Sequence, residues 1–209
     1  MDYKVLLIRS LVGFTFLFLF FISIIFNKLI LILLFTIIYL MIYVEVIKFF
    51  KYYNLIIYIY ILLSFLILFN FLYFNYNLIY FIIFIATVVF FDTYSYILGS
   101  LFGKKKITPL ISPNKTYFGL IGGYILTTLS CYLLIFFIKI PLNLFLLFFY
   151  HLIILFSFLG DILESYFKRK SNLKDSSNFI PGHGGFFDRF DSIILSNYLL
   201  IIMPLLYEY

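Results

Sequence analysis

Charge is scarce in this sequence. Only 11% of its 209 residues are Asp, Glu, Lys or Arg, against about a quarter in ordinary soluble domains. Hydrophobic residues make up 65% of the chain, and its mean hydropathy is +1.15. These values exclude an ordinary soluble domain and place the chain in the membrane class, so a lipid bilayer must surround most of its apolar surface.

Cysteine and tryptophan are nearly or wholly missing. Cys131 has no second cysteine to pair with, which excludes an internal disulfide, and we interpret it as a buried bystander in an apolar run. Trp is absent while Phe, Ile, Tyr, Asn and Lys are heavily used, which indicates an AT-rich genome rather than a function. The sequence has no internal repeat and no linker, so one membrane domain over 1–209 is the simplest organisation.

Long apolar runs fill the chain instead. A spanning helix needs about 20 mostly apolar residues. We therefore predict an all-α fold, a polytopic transmembrane bundle of about seven helices. The first run is too long for a cleaved signal peptide and lacks a small-residue cleavage site, so we predict that it is a membrane helix. The predicted helices cover 10–26, 29–47, 53–70, 74–91, 117–138, 143–160 and 193–207.

Acidic residues are also fewer than basic ones, nine against fifteen, which gives a net charge of +6. In a soluble protein this excess would suggest nucleic acid, but the positive-inside rule explains it here, and we expect no nucleic-acid partner. With a cytoplasmic N-terminus, every basic residue except Lys28 and Lys139 lies on the cytoplasmic side. The two long polar loops, 92–116 and 161–192, then share that side.

The few charges gather in segment 160–192, which holds five of the nine acids and five of the fifteen basic residues. Four polar residues at its start are spaced to form one stripe on a helix. Two of them directly follow a long apolar run, which a merely solvated loop explains poorly. The four residues are Asp161, Glu164, Ser165 and Lys168.

Two further acids, Asp188 and Asp191, flank Arg189 near the end of this segment. The sequence PGHGG at 181–185 precedes them and predicts a turn that allows close backbone approach. Carboxylates on two elements with a hinge between them suit Mg²⁺, which fills its other positions with water and phosphates. Internal pairing in a solvated loop stays open as the alternative. His183 could be a general acid or base, a phosphate donor or a loop-stabilising residue.

The first polar segment begins at Asp92, whose charge is costly at a membrane boundary unless it faces a polar cavity or binds a partner. Lys104–Lys106 form a basic cluster that orientation and anionic lipid explain. Ser112–Thr116 predicts a turn before a helix, with Lys115 and backbone N–H groups suited to a phosphate. The glycines at 119, 122 and 123 indicate either close helix packing or substrate approach.

The run from Ser165 to Asp191 resembles the diagnostic pattern of phosphatidate cytidylyltransferases, also called CDP-diacylglycerol synthases. The preceding GDILES and the first polar segment resemble the family as well. The chain departs from the family at Phe118, where an acid is usual, and at Ser177, where Gly is commoner. The positions in register are Ser165, Lys168, Arg169, Lys174, Asp175, His183, Gly184, Gly185, Asp188, Arg189 and Asp191.

The resemblance implies a CTP-dependent nucleotidyltransferase that makes CDP-diacylglycerol and diphosphate from CTP and phosphatidate. It implies a catalytic part over 92–209, preceded by N-terminal helices over 1–91. The alternatives are another CTP-dependent lipid enzyme, such as a polyprenol kinase or a CDP-isoprenoid-lipid synthase, and, less favoured, a non-enzymatic transporter. The expected location is a bacterial inner membrane with the site facing the cytoplasm, or else an organelle membrane of bacterial descent. A homodimer stays open.

The resemblance also implies a site. Asp161 and Asp188 are the expected ligands of Mg²⁺, and a second cation stays open. The expected catalytic residues are Asp161, Glu164, Lys168, Arg169, Lys174, Asp175, His183, Asp188, Arg189 and Asp191. The expected substrate-binding residues are Ser112, Asn114, Lys115, Thr116, Ser165, Gly184 and Gly185.

Overall fold

The computed structural model describes residues 15, 18–23, 27–52, 54–141, 143–180, 182 and 184–207. These residues form two compact units. The first unit combines 1–76 with 167–190, and the second combines 77–166 with 191–209. The predicted single domain stays a prediction, and each unit is described by itself below.

The first unit contains helices α1 (Lys28–Phe49) and α2 (Asn54–Phe74). Asn27 begins α1, because its side chain accepts a hydrogen bond from the backbone of Leu29. Lys28 reaches the carbonyl oxygen of Tyr73 over 3.1 Å, and the buried Tyr39 hydroxyl lies 2.6 Å from Ser64. The start of α1 therefore lies beside the end of α2, so the two helices pack antiparallel.

In the second unit, α3 (Leu78–Phe102) is followed by a hairpin of strands β1 (Lys106–Thr108) and β2 (Ser112–Thr116) and by α4 (Tyr117–Ile138). The antiparallel strands pair residue 106 with 116 and residue 108 with 112. Helix α4 begins at Thr116, whose hydroxyl accepts a hydrogen bond from Gly119.

Glycines allow α3 and α4 to approach closely. A Cβ atom on Gly119 would lie 2.6 Å from the carbonyl oxygen of Ser95, and one on Gly123 would lie 2.9 Å from the Ser95 Cβ. Close packing through small residues is typical of membrane helices. It accounts for these glycines without a substrate. Nearby, Cys131 is fully buried beside Thr87, as predicted for a bystander.

Helices α5 (Leu144–Lys170) and α6 (Phe187–Ser196) each contribute residues to both units. Within the second unit they touch at Gly160, where a Cβ atom would lie 2.6 Å from the carbonyl oxygen of Asp191. Two short 3₁₀ helices, Asn197–Ile201 and Met203–Tyr207, follow α6.

The prediction of a helical, polytopic membrane protein is confirmed. Within the described residues, five helices are long and apolar enough to span a membrane: Lys28–Phe49, Leu55–Phe74, Leu78–Phe102, Tyr117–Ile138 and Leu144–Lys170. Most of the predicted first helix, 10–26, lies outside the described residues, although 18–23 are helical. The cytoplasmic orientation of the N-terminus stays a prediction.

Several predicted helix boundaries are wrong. Two of them, at the ends of α3 and α5, are wrong for the same reason. Helix α3 continues past Asp92 to Phe102, and α5 continues past Asp161 to Lys170, because polar side chains on one face do not end a helix. The predicted loop 92–116 is therefore part helix and part hairpin, with the turn at 109–111 instead of at Ser112. The predicted helix 193–207 is the end of α6 followed by the two 3₁₀ helices.

Candidate active site

Three carboxylates in the second unit come from three helices. Asp92 lies on α3, Asp161 on α5 and Asp191 on α6, and we call them the acidic cluster. The hydroxyl of Ser192 donates a hydrogen bond to Oδ1 of Asp92 over 3.1 Å. The tight crossing at Gly160 places the start of the polar stripe of α5 directly against α6. Helix packing therefore gathers three of the chain's nine acids into one place.

Lys115 on β2 is the cation of this cluster. Its ammonium group forms a salt bridge with Oδ2 of Asp161, and the two side chains are only 19% and 23% exposed. Burial opposes the lysine charge, but Asp161, followed by Asp92 and Asp191, outweighs burial and raises the pKa of Lys115 above its ordinary value. Lys115 therefore stays protonated at neutral pH.

The surroundings of Asp191 disfavour its ionised form. Burial first, and then the charges of Asp161 and Asp92, raise the pKa of Asp191 well above its ordinary value. Lys115 only partly offsets this effect. A cation bound beside these carboxyl groups would favour their ionised forms.

The donor chemistry of the acidic cluster is compatible with a divalent cation such as Mg²⁺. No three acidic, histidine or cysteine side chains in the described part of the chain are arranged to hold a metal by themselves. Mg²⁺ does not need such a cage, because it is held by one or two carboxylates together with water and substrate phosphates. The donor chemistry of Asp161 and its neighbours meets that requirement.

A second group of polar residues lies in the first unit, around Asp188. Its Oδ1 accepts a hydrogen bond from Lys168 over 2.6 Å. Its Oδ2 accepts from the backbone N–H of Ser176 at 2.9 Å, from the Ser176 hydroxyl at 3.0 Å and from the N–H of Gly185 at 2.8 Å. Burial raises the pKa of Asp188, but Lys168 and these amides outweigh burial and lower it below its ordinary value. Asp188 is therefore an ionised carboxylate that organises the surrounding chain.

The structure describes three residues of the predicted turn at 181–185, namely Gly182, Gly184 and Gly185. Gly182 and Gly184 adopt φ angles of +74° and +82°, which favour glycine. The N–H of Ile180 donates to the carbonyl oxygen of Gly184 over 2.8 Å and closes the turn. A Cβ atom on Gly184 would lie 2.6 Å from Oδ2 of Asp188, so the turn fits that carboxylate. Pro181 and His183 lie outside the described residues, and the role predicted for His183 stays a prediction.

Glu45 on α1 is a third carboxylate in the first unit, and its side chain is fully buried. Each of its oxygens accepts one serine hydroxyl and one backbone N–H. Oε1 accepts from Ser177 at 2.7 Å and Phe186 at 2.7 Å, and Oε2 accepts from Ser176 at 3.1 Å and Phe187 at 2.9 Å. Glu45 thereby also satisfies amides at the start of α6.

The other predicted site residues differ in their exposure to solvent, and some are buried while others are exposed. Glu164 and Ser165 on α5 are buried, as is Ser112 on β2. Arg169 donates to the carbonyl oxygen of Leu173 over 2.9 Å. The exposed residues of the predicted site are Asn114, Arg169, Lys174, Asp175 and Arg189.

The roles of these residues stay predictions. The sharing of one metal by Asp161 and Asp188 also stays a prediction, because these two residues belong to different units. Thr116 has a structural part in capping α4. The N–H of Gly185 donates to Asp188.

Sequence reasoning missed Glu45, Ser176 and Ser192 as participants and left Asp92 outside the site. A signal was available for Glu45, because an isolated acid within a spanning helix indicates a buried polar partner. The serines carry no comparable signal, since serine is common in polar loops.

The sequence of this chain matches a known protein family and several named relatives. The model of the cytidylyltransferase family matches residues 50–207, which include the acidic cluster and Asp188. A phosphatidate cytidylyltransferase of Staphylococcus haemolyticus is 48% identical over 117 residues, covering 54% of this chain and 45% of the relative.

Two further relatives carry the same name. The protein of Staphylococcus saprophyticus is 43% identical and that of Staphylococcus aureus strain COL is 42% identical, each over 116 residues. Both alignments cover 55% of this chain and 42% of the relative. The matched part of this chain therefore spans less than half the length of these relatives.

Proposed function

Because this chain belongs to the cytidylyltransferase family, we propose that it is a phosphatidate cytidylyltransferase. It would transfer CMP from CTP to phosphatidate and release diphosphate, as the names of its bacterial relatives suggest. The product, CDP-diacylglycerol, is a precursor for phospholipid synthesis.

The observation that carries the proposal is the acidic cluster with Lys115. Asp92, Asp161 and Asp191 lie together with one lysine, and burial, followed by the charges of its acidic neighbours, raises the pKa of Asp191. Such a cluster suits a divalent cation and the phosphates that accompany it. A reaction between two phosphorylated substrates requires this kind of charge neutralisation.

The proposed reaction is a displacement at phosphorus. A phosphate oxygen of phosphatidate attacks the α-phosphorus of CTP, and a new P–O bond forms. The bond from the α-phosphorus to the oxygen that bridges it to the β-phosphate breaks, and its electron pair leaves with diphosphate. The phosphatidate oxygen is already largely ionised at neutral pH, so no strong general base is needed. The difficulty is the approach of two polyanions, which positioning and cationic groups overcome.

The residues of the second unit would bind and orient the reacting phosphates. Lys115 stays protonated beside Asp161 and would donate to a phosphate oxygen. Asp161, with Asp92 and Asp191 beside it, would hold Mg²⁺. When bound, the ion would neutralise negative charge that builds on the phosphate oxygens. Titration of the protein with Mg²⁺ would determine whether one or two cations bind.

The first unit carries the other basic residues that the sequence resemblance assigns to phosphate binding. Lys168 is fixed by Asp188, while Arg169, Lys174 and Arg189 lie on exposed parts of the chain. By that resemblance, each of these side chains is proposed to bind a phosphate group. The acyl chains of phosphatidate stay in the bilayer, so the reaction takes place at headgroup level. Five helices able to span a membrane support a multi-pass membrane location. The further proposal of a bacterial inner membrane with the site facing the cytoplasm rests on the distribution of basic residues in the sequence.

The proposed function is tested by assaying the purified full chain with radiolabelled CTP, phosphatidate and Mg²⁺ in lipid vesicles. The expected product is labelled CDP-diacylglycerol, formed only with Mg²⁺. Asp161→Asn should reduce the rate at least about 100-fold when equal amounts of folded protein are compared. Release of CDP with phosphorylation of an added polyprenol would instead identify a lipid kinase and overturn the proposal.

A further inference from the structure

The position of Glu45 in the chain does not by itself explain the polar groups that surround its side chain. It lies on α1, one of the helices able to span a membrane, and its side chain is fully buried. The family match begins only at residue 50, after Glu45. An ionisable residue inside a spanning helix is costly unless it is paired, and it usually has a function.

The partners of Glu45 all come from one distant segment. Four donors, two hydroxyls and two amides, lie between 2.7 and 3.1 Å from its two oxygens, and they belong to residues 131 to 142 positions later. Hydrogen bonds to a carboxylate are stronger than those between neutral groups. Glu45 therefore ties both ends of segment 176–187 to α1.

The tie extends to Asp188 through Ser176. The Ser176 hydroxyl lies 3.1 Å from Oε2 of Glu45 and 3.0 Å from Oδ2 of Asp188, so it links the two carboxylates. Gly185 fits between them. A Cβ atom there would lie 2.6 Å from Oε1 of Glu45, and the Gly185 N–H donates to Asp188. The segment is thus shaped around both carboxylates at once.

We propose that Glu45 is a positioning residue of the enzyme. By holding segment 176–187, it keeps Asp188 hydrogen-bonded to Lys168 before substrate binds. The proposal rests on the proposed function for its link to catalysis. It adds a residue of α1, outside the matched family region, to the groups that determine substrate affinity.

This role predicts a particular kinetic signature. If Glu45 no longer holds the segment, only a fraction of molecules is ready to bind, and the apparent dissociation constant rises by the inverse of that fraction. Saturating substrate would restore the ordered segment, so KM should rise while kcat changes little. A residue that only stabilises the fold would lower the amount of active protein and leave KM unchanged.

The test is Glu45→Gln in the full chain, with KM and kcat measured for CTP and for phosphatidate. The amide group of Gln places an N–H where a backbone donor now points, so at least one hydrogen bond is lost. The expected result is a rise in KM of at least five-fold for one substrate, with kcat within two-fold of wild type. Ile42→Val is the matched control, because Ile42 is equally buried on the same helix but apolar, and its KM values should not change.

A second measurement is independent of turnover. Hydrogen–deuterium exchange at the amides of Phe186 and Phe187 should be at least ten-fold faster in Glu45→Gln than in wild type and in Ile42→Val. Ser177→Ala removes one of the four donors and should give a smaller change in the same direction, and it carries the test if Glu45→Gln does not fold.

Unchanged KM values for both substrates, or unchanged exchange at these two amides, would overturn the proposal. A wild-type protein without CDP-lipid synthesis would instead refute the proposed function. The exchange comparison would still decide whether Glu45 holds the segment.

Discussion

The ammonium group of Lys168 lies 2.6 Å from Oδ1 of Asp188, twenty positions later in the chain. The two side chains are only 11% and 7% exposed. The last turn of α5 and the first turn of α6 are therefore joined by a nearly buried ion pair within the first unit. Breaking one side of such a pair is costly, because the other charge stays buried without its partner.

Lys168→Met should destabilise the protein by about 3 kcal/mol, because Asp188 loses its counter-charge while its surroundings stay closed. Thermal unfolding in detergent would measure the change. Lys170→Met is the matched control on the exposed end of the same helix and should change stability by less than about 0.5 kcal/mol. Equal effects of the two substitutions would contradict the importance of the Lys168–Asp188 pair.

The same carboxylate predicts a dependence of stability on pH. Lys168 and backbone amides outweigh burial and lower the pKa of Asp188 below its ordinary value of 3.8. A lowered acid pKa stabilises the fold above the ordinary value, and this contribution is lost as pH falls from about that value through the folded-state pKa. Melting temperatures should therefore drop more steeply below about pH 4 in wild type than in Asp188→Asn. Parallel profiles for the two proteins would count against this assignment.

Lys115 should be essential for activity if the proposed function is right. Lys115→Met removes the cation beside Asp161 and should reduce CDP-diacylglycerol synthesis at least about 100-fold, as the loss of one donor to a transition-state anion does elsewhere. Lys105→Met removes an exposed charge just before the same hairpin and should keep activity within about two-fold. Activity assays at matched protein amounts distinguish the two. Full activity in Lys115→Met would remove this residue from the site.

The glycines of α4 should differ in their tolerance of a methyl group. Gly119→Ala would press a Cβ atom against the Ser95 carbonyl oxygen at 2.6 Å, so overpacking should cost about 2 kcal/mol. At Gly122 the nearest atom is the Cδ1 at the flexible end of Leu98. Gly122→Ala should therefore cost much less in a thermal-unfolding comparison. The reverse order would show that α3 and α4 do not pack through Gly119.

Much of the fold could be predicted from the pattern of apolar runs. The second to sixth predicted helices correspond to five helices able to span a membrane, although boundaries shifted where α3 and α5 carry polar residues at their ends. The stripe of Asp161 and Lys168 was predicted because helical spacing is a local property, and both residues do lie on α5. The Ser112–Thr116 strand was mistaken for a turn, since SPNKT contains turn-forming residues and its pairing with β1 is not visible locally.

The partners of individual carboxylates could not be predicted in the same way. Asp92 was recognised as a costly charge in need of a partner, and Ser192, which bonds it, lies one hundred positions away. Ser176 was not distinguished from other polar loop residues, although it contacts both Glu45 and Asp188. Spacing along the chain carries no information about such distant pairs.

The sequence by itself determined that this is a helical membrane protein with its charges concentrated in two polar segments, because lipid requires long apolar runs and local spacing sets which side chains share a helix face. Only the tertiary structure decided that Glu45, far from the charged segment, holds residues 176–187, and that Lys115 pairs with Asp161. Those pairings depend on how helices pack and on the need of every buried charge for donors, which local sequence does not specify.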